Sequence, residues 1–149
     1  MECKTCDSIK ENINIILETE YLKVRLADNQ YHLGRCIIDL KQHISCLSEL
    51  KKKEILDFLE IVKKLEKAIK KAFNATMFNY SCLMNNAYKL ETPNPHVHWH
   101  LHPRYKNPVK FEDIIFEDKE FAHHYDNKKI LAVSDEIKRK IIEKIKENL

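Results

Sequence analysis

Glycine and proline are scarce in this sequence, with one Gly and four Pro among 149 residues. Such a composition excludes collagen-like chains, low-complexity chains and flexible Gly/Ser linkers. Long apolar runs are also missing, since none approaches the ~20 residues that span a membrane. The first residues, MECKTCDSIKENIN, lack the apolar stretch of a secretory signal. We therefore expect a cytoplasmic protein that does not act at a membrane.

The composition predicts one globular domain. Apolar residues make up 44% and charged residues 33% of the chain, which is enough to build a core and argues against disorder. The net charge is +3, and acidic and basic residues are interleaved along KKKEILDFLEIVKKLEKAIKK, as on a solvated helix face, so we expect no nucleic-acid partner. Five cysteines, an odd number without an export signal, predict metal binding or free thiols instead of disulfides.

Hydrophobic periodicity predicts an α+β fold. The expected elements are strands near 13–18, 21–27 and 35–40, a helix over 50–73 with Ser48 as its N-cap, a strand at 76–84, a polar loop at 85–95, a strand around 97–101 and a helix near 134–148. This order is typical of an antiparallel sheet of about five strands with one long helix packed on it and a C-terminal helix. We expect a single domain over 1–149, with a core at about 3–105, irregular structure beyond Pro103, and a C-terminal extension at 106–149.

The most informative segment is a strand in which histidines alternate with apolar residues. In a strand, alternate side chains project to the same face, so His96, His98, His100 and His102 should form a row, with Val97, Trp99 and Leu101 behind them in the core. Histidine can serve as a metal ligand, as a general acid or base, or as a nucleophile toward phosphorus. The spacing does not choose among these roles.

The sequence resembles the histidine triad (HIT) family, whose signature is His-x-His-x-His with apolar residues at x. His96, His98 and His100 fit this signature closely, and the resemblance covers roughly 3–105, including GRCIIDLKQHI at 34–44. It implies a HIT-like fold and a nucleotidyl hydrolase or transferase acting on adenosine phosphoramidate or dinucleoside polyphosphate. A purine nucleotide, adenosine above all, is then the expected partner, and the protein is expected to form a homodimer.

The resemblance also implies roles for individual residues. The middle histidine, His98, would attack the α-phosphate, while His100 would stabilise its charge and Asn85 would contact it. Thr92 stands in a loop that usually contains glycine, where its hydroxyl can donate to phosphate. Asp28 lies near the position of the acidic residue that holds the ribose, although a turn-forming aspartate is an equal alternative.

Cys3 and Cys6 form a Cys-x-x-Cys pair that, taken alone, fits a redox motif or chance. The resemblance implies a structural zinc ion held by Cys3, Cys6, His43 and His96. Such a closed site has no open coordination position.

Two other functions remain open at this stage. One is a nucleotide-binding protein that keeps the fold without catalysis. The other is a metal-binding protein that uses His98, His100 and His102 as an additional site. His102 departs from the family, where an apolar residue is usual, and either extends the site or is solvated. His32 and the segment 123–125 have no evident partner in the sequence and are expected at the surface.

Overall fold

The computed structural model describes residues 3–149 and contains a five-stranded antiparallel sheet. Its strands are β1 (Ile15–Glu18), β2 (Leu22–Leu26), β3 (Cys36–Leu40), β4 (Met77–Ser81) and β5 (His98–Arg104), in the order β1-β2-β3-β5-β4. Three helices accompany it, α1 (Lys4–Glu11), α2 (Lys52–Phe73) and α3 (Asp135–Lys146). This architecture confirms the predicted fold class, an antiparallel sheet with one long helix and a C-terminal helix.

Helix α2 packs on the sheet because its apolar side chains recur every three or four residues. The fully buried ones are Ile61, Leu65, Ala68 and Ile69. The helix begins at Lys52, and the prediction of Ser48 as its N-cap is wrong: Ser48 lies in a short 3-10 turn, Leu47–Glu49. The helix start is instead held by the carboxylate of Glu54, which accepts the backbone N–H of Lys51 at 2.7 Å.

Strand β5 lies inside the sheet, paired with β3 on one side and β4 on the other. Trp99 stacks on Phe58 of α2 with ring centroids 4.4 Å apart, and Val97 and Leu101 are fully buried. Since alternate side chains of a strand point to opposite faces, the intervening histidines face away from α2. The histidine row therefore lies on the face that the long helix leaves open.

The connection between β2 and β3 depends on the single glycine. Gly34 has φ +77°, a left-handed conformation that other L-residues adopt at a cost of about 1–2 kcal/mol. Its N–H donates to Oε1 of the buried Gln30 at 2.9 Å. Gln30 in turn donates to the carbonyls of Ala27 and Arg35 at 2.6 and 3.0 Å. These contacts fix the turn and hold the backbone of Arg35 just before β3.

The segment after β5 is more regular than predicted. Instead of irregular structure beyond Pro103, β5 continues to Arg104 and a two-stranded hairpin follows, β6 (Val109–Phe111) and β7 (Ile114–Phe116). The N-cap of α3 is Ser134, whose Oγ accepts the N–H of Ile137 at 3.3 Å. Three buried isoleucines, Ile141, Ile142 and Ile145, join α3 to the main core.

Helix α1 is an element that periodicity does not predict, because it is a polar segment of eight residues with no buried side chain. Its N-cap is Cys3, whose Sγ accepts the N–H of Cys6 at 3.4 Å. Among the helices of residues 3–149, none has the length and apolar character needed to cross a membrane.

Candidate active site

His98 is held in one tautomer by its own strand. Its Nδ1 lies 2.8 Å from the backbone carbonyl of His96, and because a carbonyl oxygen can only accept, this nitrogen carries the proton. The lone pair is therefore on Nε2. The side chain is half-buried and lines a cavity, so the geometry provides an oriented imidazole with Nε2 available to a ligand.

His100 lies directly beside it, with ring centroids 4.9 Å apart. Its Nδ1 is buried without a hydrogen-bond partner, which leaves Nε2 as the atom that can reach a ligand. Burial, followed by the neighbouring His98 and Arg35, lowers the pKa of His100 to about 4. In the free protein at neutral pH this ring is uncharged.

His102 continues the row into the interior. Its Nδ1 lies 3.0 Å from Nδ1 of His32, and its ring stacks on Tyr125 with centroids 4.1 Å apart. Burial is the main cause that lowers the pKa of His102 to about 2 and that of His32 to about 4, so one neutral ring donates to the other. The prediction that His32 lies at the surface is wrong, because it is 3% exposed. His102 is not solvated either.

Two cavities lie along the row and share His100. The first, of about 280 Å³, is lined by His96 and His98 and by Asn94. Its apolar side chains come from the loop before β5, and they are Leu83, Met84, Ala87 and Leu90. The second, of about 450 Å³, contains Arg35 and His102 and is bordered by Tyr125 from the C-terminal segment. Both volumes suit parts of a small-molecule ligand.

The other predicted nucleotide contacts differ in their placement. Asn85 lines the second cavity together with His100. Thr92 is exposed. Neither Thr92 nor Asp28 is among the described residues that line the two cavities. The carboxylate of Asp28 forms an ion pair with Lys138 of α3, with Oδ1 and Nζ 2.9 Å apart. The roles predicted for Asp28 and Thr92 therefore stay predictions.

Sequence reasoning missed Asn94, Arg35 and Tyr125. Asn94 precedes His96 by two residues, so the alternation that defines the histidine row also points to it. Ile37 of β3 pairs with His100 of β5, and Arg35, two residues before Ile37, therefore lies on the same side as the histidine row. This pairing is known only once β3 is placed beside β5. Tyr125 has no local signal.

The Cys3, Cys6, His43 and His96 side chains converge on one point. Their ligand atoms all lie within 4.8 Å of one another, and three S···N separations are 3.4 Å. Tetrahedral zinc with Zn–S of about 2.3 Å and Zn–N of about 2.0 Å separates neighbouring S and N atoms by roughly 3.5 Å. Nε2 of His96 donates to the carbonyl of Leu40 at 2.6 Å, which leaves its Nδ1 free as a ligand. The four residues fit zinc.

A second group of ligand-type side chains, His32, Asp118 and Glu120, also lies within 4.8 Å. Both carboxylate oxygens of Asp118 already accept from the buried Arg104, at 2.6 and 3.0 Å. The guanidinium of Arg104 thus already occupies the carboxylate that a metal ion would need. Among residues 3–149, the atoms of His98, His100 and His102 do not form such a group, which removes the support for an additional metal site on the row.

Comparison with known proteins decides the family. A family model described as the HIT domain matches residues 10–107. The chain belongs to the HIT family. The match ends just after β5 and includes the whole histidine row, whereas Cys3 and Cys6 lie before it and the segment with Tyr125 and α3 lies after it.

Individual HIT proteins are similar over most of the chain. An uncharacterized HIT-like protein of Methanocaldococcus jannaschii is 28% identical over 118 residues, which are 75% of this chain and 88% of the relative. A hypothetical histidine triad nucleotide-binding protein from Sulfolobus tokodaii has the same fold, with a TM-score of 0.72 and 17% identity over 98% of this chain and 91% of that one. A Zn-bound histidine triad family protein from Mycobacterium smegmatis gives a TM-score of 0.65 and 15% identity, over 99% and 95%.

Proposed function

We propose that the protein is a nucleotidyl hydrolase or transferase that cleaves derivatives of nucleoside monophosphates through a covalent nucleotidyl-His98 intermediate. One observation carries the proposal: the Nδ1–H of His98 is bonded to the carbonyl of His96 at 2.8 Å, which leaves Nε2 as a lone pair beside a cavity. Nucleophilic attack on phosphorus needs a neutral and oriented imidazole. Membership of the HIT family supports this choice over a purely structural role for the row.

In the first step, Nε2 of His98 forms a bond to the α-phosphorus, and the bond from phosphorus to the leaving group breaks. The leaving group departs with the electron pair and takes up a proton from the solvent. In the second step, water attacks the same phosphorus and releases a proton to the solvent, the N–P bond breaks, and the nucleoside monophosphate leaves the regenerated imidazole. His100 and Asn85 border the phosphate position and donate hydrogen bonds to its oxygens, so catalysis rests on positioning and charge stabilisation.

Zinc bound by Cys3, Cys6, His43 and His96 would supply a structural cross-link with all four coordination positions filled by the protein. His96 is the residue that joins this site to catalysis, because its carbonyl orients the ring of His98. Fixing the His96 side chain through Nδ1 and Nε2 therefore stabilises the acceptor on which the tautomer of His98 depends. A Zn-bound HIT protein of the same fold supports the assignment.

The substrate is proposed to be a purine nucleotide, with adenosine phosphoramidate and dinucleoside polyphosphate as the two classes to compare. A ribose held by Asp28 would have to displace the contact with Lys138, and Thr92 would reach phosphate after a loop movement. A homodimer is proposed as well, because strand β4 is at an edge of the sheet and α2 exposes apolar side chains, namely Ile55, Leu56 and Leu59.

The test is release of AMP from adenosine 5′-phosphoramidate and from diadenosine tetraphosphate by the native protein, by His98→Ala and by His98→Asn. We expect release by the native protein and its loss in both variants, with unchanged unfolding midpoints. Turnover by both variants at the native rate would exclude the covalent mechanism. A native protein that binds AMP but releases none from either substrate would favour the non-catalytic nucleotide-binding alternative.

A further inference from the structure

The second cavity contains a cationic side chain for which residues 3–149 provide no carboxylate partner. Arg35 is half-buried, and its Nε is buried without a hydrogen-bond partner. Arg25 and Arg104 differ from Arg35 in this respect. Nε of Arg25 lies 2.7 Å from a carboxylate oxygen of Asp39, and Nε of Arg104 lies 2.6 Å from one of Asp118. Burying an N–H of a guanidinium without a partner costs folding free energy, and a ligand in this cavity would supply the partner that the buried Nε lacks.

The surroundings of Arg35 favour an anion as that ligand. Lys89 adds a second cation to the cavity wall, Asn85 and Asn127 add side-chain amides, and no Asp or Glu is among the described lining residues. Burial keeps His102 neutral at neutral pH by lowering its pKa to about 2. Arg35 and Lys89 thus give the cavity a positive charge without help from the histidines.

We infer that the cavity formed by Arg35, Lys89 and Asn127 is a second phosphate-binding site, next to the phosphate position at His98. This inference rests on the proposed function, which places the first phosphate between His98 and His100. His100 borders both cavities, so one ligand with adjacent phosphate groups can occupy both. A guanidinium fork and an ammonium group suit phosphate oxygens. The substrate class that fits is a phosphoanhydride, and a phosphoramidate with a neutral leaving group leaves Arg35 without a partner.

Calorimetric titration with inorganic tripolyphosphate and with inorganic phosphate tests binding without any chemistry. The native protein should bind tripolyphosphate more tightly than phosphate. Arg35→Gln should weaken tripolyphosphate binding roughly tenfold to a hundredfold, the loss expected for a charged hydrogen-bonding partner, and Lys89→Gln should weaken it less. Lys110→Gln, which removes an exposed charge from β6 outside both cavities, should bind like the native protein. Equal affinity of Arg35→Gln and the native protein would overturn the inference.

A structural role for Arg35 makes a different prediction. If the guanidinium stabilised the fold, Arg35→Gln would lower the unfolding midpoint without ligand; we expect the midpoint to stay the same or rise, because an unpaired half-buried charge is removed. A loss of stability together with unchanged tripolyphosphate affinity would contradict the phosphate site.

Kinetics separate this inference from the proposed function. Arg35→Gln should lower kcat/KM for diadenosine tetraphosphate much more than for adenosine phosphoramidate. Equal losses for both substrates would overturn the second site while leaving His98 as nucleophile. Tripolyphosphate binding that depends on Arg35, in a native protein that releases no AMP, would refute the proposed hydrolysis and leave the phosphate site standing.

Discussion

Replacing Arg104 with methionine is expected to destabilise the fold by about 3–5 kcal/mol, the cost of breaking a buried ion pair from one side. Arg104 is 1% exposed, and its guanidinium holds the C-terminal segment against β5. It donates twice to Asp118, at 2.6 and 3.0 Å, and to the carbonyls of Glu120 and His123 at 2.6 and 3.0 Å. Asn79 Oδ1 accepts the remaining bond at 2.9 Å.

The largest part of this cost comes from the partner that remains. The carboxylate of Asp118 is 1% exposed, and without Arg104 it keeps the N–H of Tyr105 at 3.2 Å and a distant His32 at 3.6 Å. Removing the unpaired carboxylate as well, in the double variant Arg104→Met with Asp118→Leu, should recover part of the lost free energy of unfolding. We expect the double variant to be about 1–3 kcal/mol more stable than the sum of the two single effects.

Urea unfolding followed through the fluorescence of Trp99, the single tryptophan, measures these free energies. Trp99 lies on β5 and stacks on Phe58, so its emission reports on the sheet that Arg104 anchors. The control is Arg139→Met on the exposed face of α3, expected within about 0.5 kcal/mol of the native protein. A loss below about 1 kcal/mol for Arg104→Met, or strict additivity in the double variant, would refute the reasoning.

Three further outcomes are expected. The native protein should contain about one zinc per chain in elemental analysis, and Cys6→Ser should abolish zinc binding, because a tetrahedral structural site needs all four ligands. His32 alone should lower the free energy of unfolding by up to about 3 kcal/mol as pH drops from 6.5 to 4, since its pKa, lowered to about 4 mainly by burial, lets the unfolded state take up a proton that the folded state does not bind. The lowered pKa values of His100 and His102 act in the same direction. Gly34→Ala should cost about 1–2 kcal/mol, because φ is +77° there.

Each of these outcomes has a control. Cys46→Ser removes an exposed thiol outside the ligand group and should leave the zinc content unchanged, so a loss there would contradict the assignment. His32→Asn should reduce the slope of the acid decline, whereas exposed His124→Asn should not; equal slopes in the native protein and His32→Asn would exclude His32 as a cause. For Gly34→Ala, the added Cβ would lie 3.5 Å from the Phe73 ring, an ordinary contact, so an unchanged stability would show that the turn relaxes.

The histidine row could be predicted from sequence because it depends on one local rule. Alternation along β5 assigns His98 and His100 to one face and Trp99 to the other, and the buried Trp99 confirms it. The long helix followed from its own period in the same way. The metal ligands are different, since Cys3 and His96 are 93 residues apart and were associated through the family resemblance.

What sequence reasoning missed depends on contacts between distant segments. The burial of His32 comes from His102 and Tyr125, which lie 70 or more residues further along the chain. Neither side chain has a local pattern that marks it as a partner. The prediction of the start of α2 failed for another reason. Ser48 has a side chain that often caps helices, but the N–H of Lys51 at the helix start is accepted by Glu54, three residues further along the chain.

The covalent intermediate on His98 is the most direct test of the proposed mechanism. Native protein mixed briefly with diadenosine tetraphosphate and quenched in alkali, where N–P bonds survive, is analysed by intact mass and then by peptide mapping. We predict an adenylyl adduct on the peptide that contains His98, absent from His98→Ala. AMP release with no adduct at any time, or an adduct on a different residue, would contradict the mechanism.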